Sequence, residues 1–137
     1  MSATFPDLPL RLRYAISAVC ALARAQAPVS SRALAEQTGL PQPFLAKVLV
    51  DLHEAALLDA TRGRRGGYSL ARPADQITLA AIRDAVQEQP DHARICAMRN
   101  QPCSDGDPCA MHTLWTMATG PVRQLFAEVT IAELARG

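Results

Sequence analysis

Cys96, Cys103, Cys109 and His112 fall within 17 residues of one another, in the stretch ICAMRNQPCSDGDPCAMHTLW. Thiolate sulfur and imidazole nitrogen are the donors that soft and borderline metals take. The spacing is Cys-x6-Cys-x5-Cys-x2-His, and the residues between are polar or turn-forming: Asn100, Pro102, Ser104, Asp105, Gly106, Asp107 and Pro108. Such a loop is able to wrap its sulfurs around one centre. Asp107 is suited to cap a helix and Pro108 to begin it. Cys109 then falls in the first turn, where the helix dipole favours a thiolate, and His112 shares its face. Three chemistries fit: zinc with three Cys and one His, an iron–sulfur cluster with three Cys and one further ligand, or a thiol switch without metal. Zinc sites more often use short Cys-x2-Cys knuckles, which are absent here. Cysteines without any role are the remaining alternative. No Cys-x-x-Cys pair and no catalytic base motif points to an enzyme.

The rest of the chain must hold this loop. Its 137 residues suit one folded unit, 49% hydrophobic, 20% charged and only 4% aromatic, so the core is mostly aliphatic. No apolar run is long enough to span a membrane, and the N-terminus lacks the plan of a secretory signal. A cytoplasmic location and reduced thiols are therefore expected. Charge is unevenly placed. Residues 1–72 carry nine Lys/Arg against five Asp/Glu, whereas residues 73–137 carry five against eight. A basic half joined to an acidic half suggests a polyanionic partner for the first.

Apolar spacing predicts a helix over 8–27, with Leu12, Ala15, Ile16, Val19 and Ala23 on one face and Cys20 as a buried thiol. Ser30 or Ser31 caps a short helix at 31–37, which Gly39 closes in a left-handed turn. Pro41 and Pro43 open another helix running to about His53, with Leu45, Val48, Leu49 and Leu52 as its buried stripe. The two make a helix-turn-helix. The pattern then changes to alternation over 57–72, a β-hairpin with an Arg- and Gly-rich tip. Thr78 caps a helix at 78–87. A long helix follows at 108–129, with a kink expected at Gly120-Pro121, and Thr130 caps a last short one.

The expected fold is mainly α with a small β-hairpin, a winged helix-turn-helix followed by a long dimerisation helix. The divisions are a DNA-binding region at 1–90, a cysteine-rich loop at 91–108, and a dimerisation and C-terminal segment at 109–137. In the first region, Ser31, Gln42, Pro43, Phe44 and Lys47 face the DNA. Gln42 suits adenine, Pro43 or Phe44 a thymine methyl, and Lys47 a phosphate or guanine. At the wing, Arg62, Arg64 and Arg65 suit the minor groove or phosphates, with Gly66 letting the backbone approach. The long helix carries more apolar surface than one such domain needs, which suggests a homodimer on palindromic double-stranded DNA. A protein-interaction domain that binds no DNA is the alternative.

The order RYAISAVCALA, helix-turn-helix, RGRRGGYSLARPADQITLAAIRDAV, three cysteines, HTLW and TIAEL resembles the Rrf-type winged-helix regulators, among them the IscR-like and nitric-oxide-sensing NsrR-like iron–sulfur sensors. The likeness covers about residues 8–135. It implies a dimeric transcriptional regulator of the repressor type, whose DNA binding depends on a [2Fe–2S] or [4Fe–4S] cluster. Cys96, Cys103 and Cys109 match the cluster cysteines and His112 the fourth ligand of the IscR-like branch. In the other branch, the position of an acidic ligand falls on Asp7 of the partner subunit. Arg62 matches the wing arginine, and Gln42 to Lys47 the base-reading end of the helix. The first cysteine interval, six residues, is longer than the five or fewer typical of both branches.

Overall fold

In a computed structural model describing residues 8–87, 96 and 98–137, the first apolar stripe becomes α1, Leu10–Arg24. It buries Leu12, Ala15, Ala18, Val19, Cys20 and Leu22, while Ile16 and Ala23 pack at the edge of the same core. The helix ends before Pro28. Val29 then runs extended into α2, Ser31–Thr38, whose first turn is capped by Ser30 accepting from the Ala33 N–H at 3.1 Å. Gly39 closes α2 at φ 71°, its N–H donating to the Ala35 carbonyl at 2.9 Å. Helix α3, Gln42–Glu54, begins with Pro43 in its first turn and buries the expected Leu45, Val48, Leu49 and Leu52. An ion pair between Arg11 and Asp51 ties α1 to α3 at the rim of the core.

The hairpin pairs β1, Leu58–Thr61, with β2, Gly67–Leu70, in antiparallel register from Leu58–Leu70 to Thr61–Gly67. Val29 adds a further short pairing: it exchanges both backbone hydrogen bonds with Tyr68, at 2.9 and 2.8 Å. The wing is thereby clamped to the segment entering α2. This close approach explains Gly67. Its φ is 147°, and a Cβ there would lie 2.4 Å from the Val29 backbone.

Helix α4, Leu79–Val86, is capped by Thr78, which accepts from Ala81 N–H at 3.2 Å. Helix α5 spans Ala110–Glu128 and continues through Gly120-Pro121, where proline offers no N–H to the carbonyl one turn back. The short helix α6, Ile131–Ala135, returns to the core: the Ile131 N–H donates to Ile77 O at 2.8 Å, and Leu79 N–H to Val129 O at 3.1 Å. Glu133 accepts from the Thr130 N–H at 2.9 Å, the reciprocal half of a capping box. The core therefore joins α1, α3, α4, α6 and the hairpin, with Leu34 from α2 and Phe126 from α5. This is the expected winged helix-turn-helix with a long C-terminal helix.

The sequence places the start of α5 at Pro108 under an Asp107 cap. The helix instead starts at Ala110, with Cys109 as the extended residue before it and no side-chain cap. Asp107 closes a turn with Ser104, its N–H donating to Ser104 O at 3.1 Å, and its carboxylate is engaged by Arg99.

Gly67→Ala should lower stability more than Gly39→Ala. The second meets open space and loses only the left-handed allowance, about 1 kcal/mol, whereas the first also collides with backbone. Denaturant midpoints of the two variants measure the difference; equal midpoints would show that the Val29–Tyr68 clamp yields without cost.

Candidate metal centre and nucleic-acid interface

The chain brings three sulfurs together. The Sγ atoms of Cys96, Cys103 and Cys109 all lie within 4.8 Å of one another, and Cys96 and Cys109 approach to 3.3 Å. Each cysteine is half-buried. Cys96 sits at the start of a tight turn: its carbonyl accepts from the N–H groups of Arg99 at 3.2 Å and Asn100 at 2.9 Å, with Asn100 at φ 53°. Its own N–H donates to Gln101 O at 2.9 Å. Cys103 receives the Cys109 N–H on its sulfur at 3.3 Å and points its thiol at Asp107 O at 3.6 Å.

Three neighbouring thiols cannot all ionise freely, and their acidities diverge. The bond from Cys96 stabilises the Cys109 thiolate, with help from the His112 N–H, the Cys103 thiol and the Met111 N–H, and brings its pKa down to about 7. Cys103 moves the other way. The Cys109 N–H draws it down, but partial burial and the other two thiols together carry it above the ordinary thiol value. In Cys20, burial in α1 raises the pKa against the pull of Arg24. That thiol is 8% exposed and stands apart from the triangle.

His112 does not join the sulfurs here. Its Nε2 pairs with Asp105 Oδ1 at 2.9 Å, and the three-residue donor group does not include it. Asp7 lies outside the described residues. Arg99 was not singled out by spacing. Its guanidinium reaches Asp107 Oδ2 at 2.7 Å and Pro108 O at 3.3 Å, and nothing in a run of loop residues signals a contact eight positions away. Arg83, on α4, lies 5.4 Å above the Phe126 ring and joins α4 to α5, a contact between distant helices that local spacing does not signal.

At the start of α3, Gln42, Pro43, Phe44 and Lys47 all stand exposed, and Phe44 is 61% exposed despite its size. Arg62, Arg64 and Arg65 are exposed at the wing tip, with Gly66 half-buried beneath them. Gly66 is required there, since a Cβ would fall 2.2 Å from Thr61 O. Ser31 differs from the rest of this set, because its Oγ is buried without a hydrogen-bond partner. Along α5 the apolar side chains lie open. Trp115 is 61% and Met117 71% exposed, and Leu114, Val122 and Leu125 are exposed with them. No helix among the described residues is long and apolar enough to cross a membrane.

The Rrf2 family, described as iron-dependent transcriptional regulators, matches residues 8–137. The transcriptional regulator IscR of Sodalis glossinidius is 32% identical over 124 residues, which span 89% of this chain and 74% of that protein. A putative HTH-type regulator of Haemophilus influenzae is 33% identical over 124 residues, 89% of this chain and 81% of its own. Two solved structures share the fold. CymR of B. subtilis, its global cysteine regulator, superposes with a TM-score of 0.76 at 24% identity over 94% of this chain and 95% of that one. IscR of T. potens gives 0.76 at 23% identity over 94% and 85%.

The four thiols should separate under alkylation. In metal-free reduced protein, iodoacetamide at neutral pH should modify Cys109 first and leave Cys20 until the fold is denatured. Peptide mass mapping over time reads the order, and early labelling of Cys20 would contradict its place in the core.

Proposed function

The chain belongs to the Rrf2 family of transcriptional regulators, and from that premise we propose that it is a homodimer whose hold on a palindromic operator is set by an iron–sulfur cluster on Cys96, Cys103 and Cys109. The observation that carries this reading is the gathering of three thiol sulfurs within 4.8 Å. The donor set fits the group: three soft ligands converge, and one of them ionises near neutral pH. His112, resting on Asp105, is the fourth donor we assign, with Asp7 of the partner subunit as the rival. A cluster bound there supplies a redox couple and iron–sulfur bonds open to oxidants and nitric oxide.

The chain's own residues turn occupancy into geometry. Cys109 is the residue immediately before α5, so tying its sulfur to Cys96 and Cys103 fixes where that helix begins. The exposed face of α5 pairs with the same face of a second copy, since each large apolar side chain withdrawn from water contributes about 2 kcal/mol. The pairing sets the separation of the two α3 helices, whose first turns enter successive major grooves. Lys47 and the wing arginines bind phosphates, and Gln42 and Phe44 read base edges. Coupling is the difference in DNA affinity between the two dimer geometries. A DNA-bound regulator of this kind works in the cytoplasm.

A second reading has its own observation. Cys96 and Cys109, 3.3 Å apart, are placed to form a disulfide in metal-free protein, two thiols giving two electrons and two protons to a peroxide, which leaves as water.

Anaerobically purified protein should contain iron and inorganic sulfide and absorb in the visible. Cys103→Ala should remove that absorbance and change operator affinity while the far-ultraviolet circular dichroism stays unchanged. Protein without iron or sulfide that binds its operator fully would overturn the cluster reading, and stoichiometric zinc in a colourless sample would replace it with a structural metal. The DNA face has a separate test. Lys47→Glu and Arg64→Glu should weaken operator binding and each flatten the dependence of log affinity on log salt by about 2, one phosphate contact being lost in each protomer; an unaltered salt slope would exclude phosphate contact by that residue.

A further inference from the structure

The turn carrying Cys96 and the turn carrying Cys103 are separate pieces of loop. Backbone bonds close each one internally, the first between Cys96 and Gln101, the second between Ser104 and Asp107. Arg99 bridges them. Its backbone N–H donates to Cys96 O at 3.2 Å. Its Nη1 donates to Asp107 Oδ2 at 2.7 Å and to Asp107 O at 3.2 Å, and its Nη2 to Pro108 O at 3.3 Å. The Asp107 carbonyl also receives the Cys103 thiol at 3.6 Å. One residue is thus fastened through its backbone N–H to the residue of the first sulfur, and through its side chain to the two residues before the third, one of which supplies the carbonyl that holds the second.

We infer that Arg99, acting through Asp107, is the positioning residue of the sulfur triangle, setting the approach of Cys96 to Cys103 and Cys109. The inference rests on the metal-centre reading above. Two physical reasons favour arginine in this place. Its planar fork meets three oxygens along one edge, which a lysine ammonium, a single compact charge, does not reproduce. Its charge also persists at every relevant pH, so it offsets the negative charge that three thiolates gather at one centre. The carboxylate of Asp107, first by its hydrogen bond and then by its charge, strengthens this, with smaller contributions from Cys103 and Cys109. The pair lies at the surface, Asp107 with 78% of its side chain exposed, so it adds little to the stability of the whole fold. Its effect is local, on where the sulfurs stand before a metal arrives.

The test uses cobalt(II) on metal-free, reduced, full-length protein under anaerobic conditions, read by the sulfur-to-cobalt charge-transfer absorbance. Arg99→Gln and Asp107→Asn should each weaken cobalt binding about 10-fold, with circular dichroism and thermal midpoint unchanged. The double variant should be no weaker than the weaker single one, because both remove the same latch, and Arg99→Lys should recover only part of the loss. Wild-type affinity in Arg99→Gln would overturn the inference, as would losses that multiply in the double variant. Should Arg99→Gln fail to fold, Asp107→Asn alone decides it, since that exposed carboxylate is removable without touching the core. Wild-type protein that develops no charge-transfer band would instead overturn the metal-centre reading, and this inference with it.

Discussion

Helix α5 is 19 residues long and buries one of them, Phe126. Near that end it is held by the Phe126 ring in the core, by Arg83 above the ring, and by the backbone pairing that returns Val129 and Ile131 to the main body. Cys109 lies 17 residues earlier, about 25 Å along the helix axis. Over that length the described part of the protein gives α5 almost nothing to pack against. An amphipathic helix with its apolar side in water is not a stable end state in a protein of this size. In the proposed dimer a second copy would supply the missing surface, and the sulfur triangle the missing attachment at the far end.

This arrangement separates two jobs that a stiffer fold would merge. The winged head is rigid because its parts are interlocked: Val29 pairs with β2, Arg11 with Asp51, and Gly39 and Gly67 take backbone conformations a side chain would oppose. The sensor loop is held by a few bonds of moderate length between half-exposed groups. A change of ligands in such a loop costs little in the head. In the proposed reading it would still reach the head, because α5, which follows directly on Cys109, ends in the core. The proposed coupling therefore needs no contact between the sulfur triangle and the residues at the start of α3. It needs only a lever fixed at both ends.

Most of the head was legible in the sequence. The stripe Leu45, Val48, Leu49, Leu52 and the glycine after Thr38 are local signals, set by helical period and by the one residue type that turns left-handed without strain. The wing was legible for the same reason, as alternation broken by Arg and Gly. The loop was legible in composition but not in detail. Spacing showed that three sulfurs could meet, yet not that Cys109 precedes α5 instead of lying within it, nor that Asp107 would turn from a capping role to Arg99. Those outcomes depend on competition between bonds of similar strength, which no periodicity records. His112 illustrates the limit. Its position three residues after Cys109 places it near the site, but Asp105, in the turn beside it, holds the ring.

The thiols of the triangle diverge in acidity. Cys109 is pulled down to about 7 while Cys103 is pushed up. Near neutral pH Cys109 therefore gives up its proton most readily, while Cys103 holds its own more tightly, a second charge beside the first being opposed. Those protons occupy the place of a cation. In the proposed reading a metal centre would displace those protons and pair the resulting thiolates with a cation, so its binding would be opposed by acid. Arg99 offsets some of that repulsion beforehand without entering the donor set. The same electrostatics makes the open state more than a passive loss of metal. In that reading, once the cation leaves, the sulfurs would take up protons, move apart, or join as a disulfide, and each of those outcomes would alter the anchorage of Cys109, the residue just before α5.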